Sequence, residues 1–332
     1  MWLVMKNKSI IRPYVQDYLR FRKRLGFSAH QDPFQLNVFE RYLNEKNVTS
    51  FDQINSDFVM DLTQHHLKTK SPHTVTAHLI ILNNFFLYLQ RQSLVDSNPF
   101  TDRISIRENY FSPYVFSDQQ MNLIMKSFAA DVRRATDWRR FVQRIARYSI
   151  IFIQAHCGLR ISEACNIKFH NVNLVNKTLF IEKTKFYKDR LLPISNRVLG
   201  VIKNYLSVRN HILGNEDSEF LFLSYSKKRY SRKTLGYFFN LKMIELGIYQ
   251  KPYTKGNIVF GSPSTHSLRH SFAVRVVRRW HKQGLPIDKI ADTLATYMGH
   301  AEFNYTQTYL KDLTRNPEPL IIYRNFHERA DL

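Results

Sequence analysis

Residues 158–164 read Gly-Leu-Arg-Ile-Ser-Glu-Ala, directly behind a segment, 138–157, that is heavily apolar on one helical face. The glycine closes that helix, so Arg160 follows close to a core. Glu163 lies three residues on, within reach of Arg160 on the same helical turn. Taken alone, this is what a structural Arg–Glu pair at a helix start would look like. Its neighbours decide what more it is.

Upstream, Ser117 and Gln120 form a capping box, with Phe116 and Met121 placed to staple it, so a helix starts at 117. Downstream, residues 172–194 are expected to form short strands: Leu179-Phe180-Ile181, a basic turn through Thr184-Lys185-Phe186-Tyr187-Lys188, then Arg190-Leu191-Leu192-Pro193-Ile194. Helices follow near 196–209, 231–246, 266–282 and 286–297. Gly299 ends the last of these, and Asn304 with Gln307 can start a short final helix carrying Tyr309. The first 110 residues read as four helices in a small bundle. Their apolar stripes are Ile11, Val15, Tyr18 and Leu19; Phe34, Val38, Phe39, Tyr42 and Leu43; Phe58 and Leu62; and Val75, Leu79, Leu82, Phe86 and Leu89. Ser71-Pro72 starts the longest helix and Asn98-Pro99 is expected to end it. A boundary is expected within 103–115.

Composition narrows the class. The 332 residues carry 49 Lys+Arg against 27 Asp+Glu, a formal charge of +22, with 44% hydrophobic residues and only 10 Gly and 11 Pro. Such a chain builds real cores and is not disordered. Residues 1–110 hold 14 basic and 10 acidic side chains, whereas residues 111–332 hold 35 and 17. The excess favours a polyanion, although a basic surface kept for solubility would also show it. No apolar stretch approaches the roughly 18–20 residues of a spanning helix, so nucleic acid is preferred over a membrane. Two cysteines, Cys157 and Cys165, cannot make a disulfide framework, and a reducing cytoplasm is expected. With His156 and His170 they fit no usual zinc spacing. Core cysteines are the better reading.

Three further clusters join the first. In Thr265-His266-Ser267-Leu268-Arg269-His270, His266 and Arg269 share the first turn of a helix, whose N-terminus itself favours an anion. Met298-Gly299-His300 precedes Tyr309 by nine residues, in the run Tyr305-Thr306-Gln307-Thr308-Tyr309. The basic turn offers Lys183, Lys185 and Lys188. Each has a bland explanation alone: a surface His and Arg, one of 18 tyrosines, a solvated hairpin tip. Together, two guanidiniums, two imidazoles, a lysine and a phenol suit a phosphodiester. Arginines can fork onto its non-bridging oxygens, and a phosphotyrosyl ester conserves bond energy for rejoining.

The order Arg160, basic hairpin, His266-x-x-Arg269, Gly299-His300, Tyr309 resembles the tyrosine recombinase (phage-integrase-type) family. The phrases GLRISE, HSLRHSFA and YMGH carry the resemblance, which is nearest to the integrases and transposases of mobile elements. It implies a mainly α fold with a small β-sheet, an α+β class. A helical core-binding domain (1–105) and a linker (106–113) would precede a catalytic domain (114–315) and a C-terminal tail (316–332), the two domains forming a C-shaped clamp on double-stranded DNA. Tyr309 would be the nucleophile and Arg160 and Arg269 the phosphate clamp. His266 and His300 would provide hydrogen bonding and proton transfer, Lys185 (or Lys183 or Lys188) would be the general acid, and Glu163 would orient Arg160. Neither metal nor cofactor is implied. Four protomers would exchange strands through a Holliday junction, with the tail, Leu320-Ile321-Ile322-Tyr323 above all, packing on a neighbouring protomer. The setting implied is the cytoplasm of a prokaryotic cell, with the protein on the nucleoid and no membrane partner. The helices begin near Ile11, which suggests no separate arm-binding module. Two other readings stay open: a DNA-binding accessory protein or regulator without chemistry, and a type IB topoisomerase-like enzyme.

Overall fold

The computed structural model describes residues 9–27, 31–101, 106, 110–182, 189–214 and 218–299. The chain divides into two compact units, Met1–Tyr110 and Phe111–Leu332. Among the described residues the first unit contains four α-helices: α1 (Arg12–Arg24), α2 (Asp32–Glu45), α3 (Ser56–Leu67) and α4 (Pro72–Arg91). They bury Tyr18, Leu36, Phe39, Leu43, Leu62, Leu82, Phe86 and Leu89 in one apolar cluster. Ser71 caps α4 by accepting the Thr74 amide at 3.3 Å, and Pro72 occupies the first turn, where no amide hydrogen is needed.

Two expectations fail here for physical reasons. Helix α4 stops at Arg91, well before Asn98-Pro99. Ser93 takes a left-handed φ of 54° and the Leu94 amide donates back to the Leu89 carbonyl, which closes the helix without proline. On α2, Phe34 is exposed and Leu36 takes its place in the core. The apolar stripe therefore runs Leu36, Phe39, Leu43 at three- and four-residue spacing.

Strand β1 (Tyr110–Ser112) straddles the division, and the second unit continues through α5 (Asp118–Arg133), α6 (Trp138–Cys157) and α7 (Ile161–Cys165). Next come β2 (Val172–Asn173), β3 (Thr178–Ile181), β4 (Arg190–Pro193), α8 (Asn196–Leu213) and α9 (Arg232–Glu245). The described residues end with β5 (Tyr253–Lys255), β6 (Ile258–Phe260), α10 (Thr265–Lys282) and α11 (Ile287–Met298). The fold is mainly helical with small sheets. Helix α6 is its axis: Asp137 caps it through the Arg140 amide, and it packs on α5, α8 and α10 with Ile150, Ile151, Ile153 and Ala155 fully buried. Gln154 of α6 donates to the Thr265 carbonyl at 2.8 Å, and Arg275 of α10 donates to the Ala155 carbonyl at 3.0 Å. The entry to α5 is fixed by the Phe116 amide donating to the Ser271 hydroxyl of α10.

Strands β2, β3 and β4 form one three-stranded sheet in that order, the β3–β4 pairing ending at Ile181↔Arg190. Leu179, Ile181 and Leu192 face the core while Phe180 and Leu191 face outward. A second sheet, in the order β1-β6-β5, has no counterpart in the sequence reading. Its strands are three residues long and β5 is exposed at every position, so there is no alternation for a sequence to display.

Candidate active site

Arg160 lies at the junction of α6 and α7, set there by Gly158. That glycine closes α6 at a left-handed φ of 62°, and a Cβ added to it would overlap the Phe272 ring of α10. A side chain at 158 would therefore meet both backbone strain and a steric clash. We expect Gly158→Ala to lose about 1–2 kcal/mol to the backbone and about 1–3 kcal/mol more to overpacking. A melting temperature lowered by several degrees is the outcome to look for, and an unchanged one would contradict it.

Arg160 is the N-cap residue of α7, and Glu163 turns back on it. The carboxylate accepts the Arg160 amide at 2.8 Å and the Arg160 guanidinium at 2.8 Å. Arg190 of β4 grips the same carboxylate through both Nη atoms, at 3.2 and 2.9 Å. Arg269 of α10 brings a third guanidinium to 3.8 Å. Burial alone would push the Glu163 carboxyl up. The Arg190 hydrogen bond and charge, then the Arg160 amide and the Arg269 charge, outweigh burial and hold it below its ordinary value. Glu163 is an anion at neutral pH, and three cations converge on it.

The other side of this cluster is the C-terminal end of α11. Its last carbonyls have no partners within the helix and form its negative pole. Arg190 Nε donates to the Tyr297 carbonyl at 2.9 Å, Arg269 Nη2 to that of Met298 at 2.7 Å and Arg160 Nη2 to that of Gly299 at 3.1 Å. Three arginines from three elements thus hold three successive carbonyls. Gly299 is left-handed at φ 64°, and an added Cβ would lie 2.9 Å from Arg190 Nη1. Arg269 also donates to the Gly158 carbonyl at 2.7 Å and is buried, 1% exposed, whereas the Arg160 side chain is 23% exposed.

His266 stands on the first turn of α10, which is capped by Ser264 and Ser267. Its face is open to solvent, and its ring meets His270 edge-on at 4.6 Å. Desolvation by the surrounding protein, followed by the Arg269 and Arg160 charges, lowers its basicity, with Glu163 opposing. A neutral imidazole that can accept a proton is favoured there.

The structure therefore brings Arg160, Glu163 and Arg269 into one cluster with His266 on its rim. Lys183, Lys185, Lys188, His300, Tyr309 and the tail 316–332 lie outside the described residues, as do residues 107–109 of the expected linker. Arg190 is the member that sequence reading missed. Its signal was the period of two in β4, which puts residue 190 on the core-facing side with Leu192. Cys157 and Cys165 are buried thiols pushed up to about 12 by desolvation, and His156 is committed to the Phe152 carbonyl and stacked on the Phe152 ring. Among the described residues no group of three His, Cys, Asp or Glu could hold a metal ion, and no helix is long and apolar enough to cross a membrane.

The model of the phage integrase family matches residues 116–315. A protein of Sinorhizobium fredii named as an integrase/recombinase (y4rB) is 27% identical over 93% of this chain and 94% of its own length. A tyrosine recombinase of Thermosipho africanus is 23% identical over 92% of this chain and 89% of its own. Among solved structures, the Tn1549 transposon integrase in complex with transposon right end DNA superposes with a TM-score of 0.63 at 16% identity, over 96% of this chain and 99% of that one. The XerH site-specific recombinase bound to its difH substrate gives 0.62 at 18% identity, over 85% and 75%. These two likenesses are of fold.

Proposed function

Since the chain belongs to the phage integrase family, the tyrosine recombinases, we propose that it cuts and rejoins double-stranded DNA at a defined site through a 3′-phosphotyrosyl intermediate on Tyr309. The observation that carries this reading is the convergence of Arg160, Arg190 and Arg269 on Glu163 at the end of α11. Three positive charges against one negative leave two. A phosphodiester carries one negative charge, and two as it passes through a pentacoordinate state, so the surplus matches the transition state better than the ground state.

In this proposal Arg160, the more exposed guanidinium, takes a non-bridging oxygen. Arg269 joins it once the Met298–Gly299 turn shifts from over it, and His300 adds a hydrogen bond. His266, kept neutral, accepts or holds the Tyr309 proton as its oxygen attacks phosphorus. Lys185 protonates the departing 5′-oxygen, since residues 182–189 connect the paired strands β3 and β4. The stored ester is then attacked by a 5′-hydroxyl of a partner strand, and two such exchanges pass through a Holliday junction. The complete machine is four protomers on paired sites, with the two units of each gripping the duplex as a clamp and the tail reaching a neighbour. Its setting is prokaryotic cytoplasm, on nucleoid DNA, in keeping with relatives from bacteria and archaea.

Lys185→Ala is expected to slow cleavage of an ordinary phosphodiester by roughly 10²–10⁴-fold, the usual worth of a general acid. A substrate whose leaving 5′-oxygen is replaced by sulfur needs no such acid and should lose less than about tenfold. Equal losses on both would remove Lys185 from that role. The reading as a whole is tested by incubating the protein with a nicked suicide substrate and separating covalent adduct under denaturing conditions. Binding without adduct would assign a module without chemistry. Relaxation of supercoils without exchange between two sites would assign a topoisomerase-like enzyme.

A further inference from the structure

We propose that Arg190 is a positioning residue of the strand-cleavage step: it holds Glu163, and through it the Arg160 guanidinium, in the geometry that receives the scissile phosphate. This deepens the recombinase reading and rests on it. All three guanidinium nitrogens of Arg190 are committed, Nη1 and Nη2 to the two oxygens of Glu163 and Nε to the Tyr297 carbonyl. The side chain is 9% exposed. A group so engaged, with three of its five N–H donors spent on Glu163 and Tyr297 and its side chain nearly enclosed, supplies a frame.

The frame has a clear job. Glu163 must accept from Arg160 with one oxygen while the backbone amide of Arg160 takes the other. A carboxylate rotated about its last bond would lose one of these. The fork of Arg190 is planar and fixes the carboxylate plane, which a lysine ammonium, a point donor, cannot do. The same fork sits against Gly299, where an added Cβ would come within 2.9 Å of Nη1, so it also sets the turn that leads to His300. The residue reaches this place because β4 begins with it: the β3–β4 pairing ends at Ile181↔Arg190, at the base of the connection that carries Lys185. Arg190 thereby ties the hairpin to both the phosphate pocket and the end of α11.

The test is single-turnover cleavage by Arg190→Lys and Glu163→Gln, alone and together, on substrates with oxygen and sulfur leaving groups, beside duplex affinity and thermal unfolding. We expect each single variant to lose about 100-fold in cleavage with duplex affinity within about threefold, and to unfold within about 5 °C of the parent. The loss should be the same on both substrates, because the leaving-group proton is not involved. The double variant should lose no more than about threefold beyond the worse single variant, since both act through one contact. Four outcomes would overturn the proposal: cleavage within threefold of the parent, recovery of Arg190→Lys on the sulfur substrate (action through Lys185), multiplicative losses in the double variant, or a large drop in unfolding temperature that accounts for the activity lost. The parent protein is the control for the underlying reading. Absence of adduct from the parent defeats the recombinase mechanism itself, whereas a normal parent with an unaffected Arg190→Lys defeats only this inference.

Discussion

Arg269→Ala is expected to lose cleavage by at least about 10³-fold and to destabilise the catalytic unit as well. Loss of one preorganised donor to a developing oxyanion costs roughly 10²–10³ in rate, and here the removed group also organises the pocket. Arg269 is the largest fully buried side chain among the described residues, and it satisfies the carbonyls of Gly158 and Met298 at 2.7 Å each. Alanine leaves both carbonyls without that donor, and Glu163 loses a cation at 3.8 Å. Breaking a buried ion pair by removing one partner costs about 3–5 kcal/mol. For a unit of this size each kcal/mol moves the melting temperature by roughly 2–4 °C, so a fall of about 10 °C is expected by calorimetry. Arg269→Lys separates the two roles. Its ammonium keeps the charge and recovers part of the stability, but cannot donate in a fork to Gly158 and Met298 and should stay about 10²-fold down in cleavage. An Arg269→Ala protein that melts like the parent and cleaves within tenfold of it would remove Arg269 from the pocket's chemistry.

The second large effect belongs to Tyr309. Tyr309→Phe removes one oxygen and keeps the ring, so its expected stability change is small, while adduct formation should fall below detection, more than about 10⁴-fold. No neighbouring group substitutes easily. Tyr297, close to the pocket along the chain, is half-buried and its phenol is pushed well above its ordinary value, first by desolvation and then by Cys157. Its ring is stacked on Phe272 at 5.6 Å. A phenol so placed resists ionisation at neutral pH. Bands of residual adduct in Tyr309→Phe at more than about 1% of the parent would point to another nucleophile among the tyrosines at 297 and 305.

Much of this is legible in the sequence. The three-residue spacing of Arg160 and Glu163 put them on one turn, and they are hydrogen bonded. Two helix starts were readable from the side chains that cap them, Ser71 and Ser117. The stop of α4 was not, because Ser93 adopts a left-handed backbone that sequence assigns first to glycine and asparagine. Arg190 was hidden for a different reason. A single arginine opening a strand has no local partner, and Glu163 lies 27 residues away in sequence. Only the tertiary closure of β4 against α7 and α11 turns it from a surface cation into a buried one. The triple hold on the carbonyls of Tyr297, Met298 and Gly299 was equally invisible, since it depends on backbone groups that no side-chain pattern reports.

The central claim is chemical: a tyrosyl oxygen becomes esterified to a DNA strand. The direct measurement is mass spectrometry of the protein trapped on nicked duplex, digested with nuclease and protease, with Tyr309→Phe run alongside. A peptide containing Tyr309 with a 3′-linked nucleotide on its phenol, absent from the variant, is the expected result. Nucleotide on a different side chain, or a parent protein that stays unmodified while it binds the duplex, would contradict it.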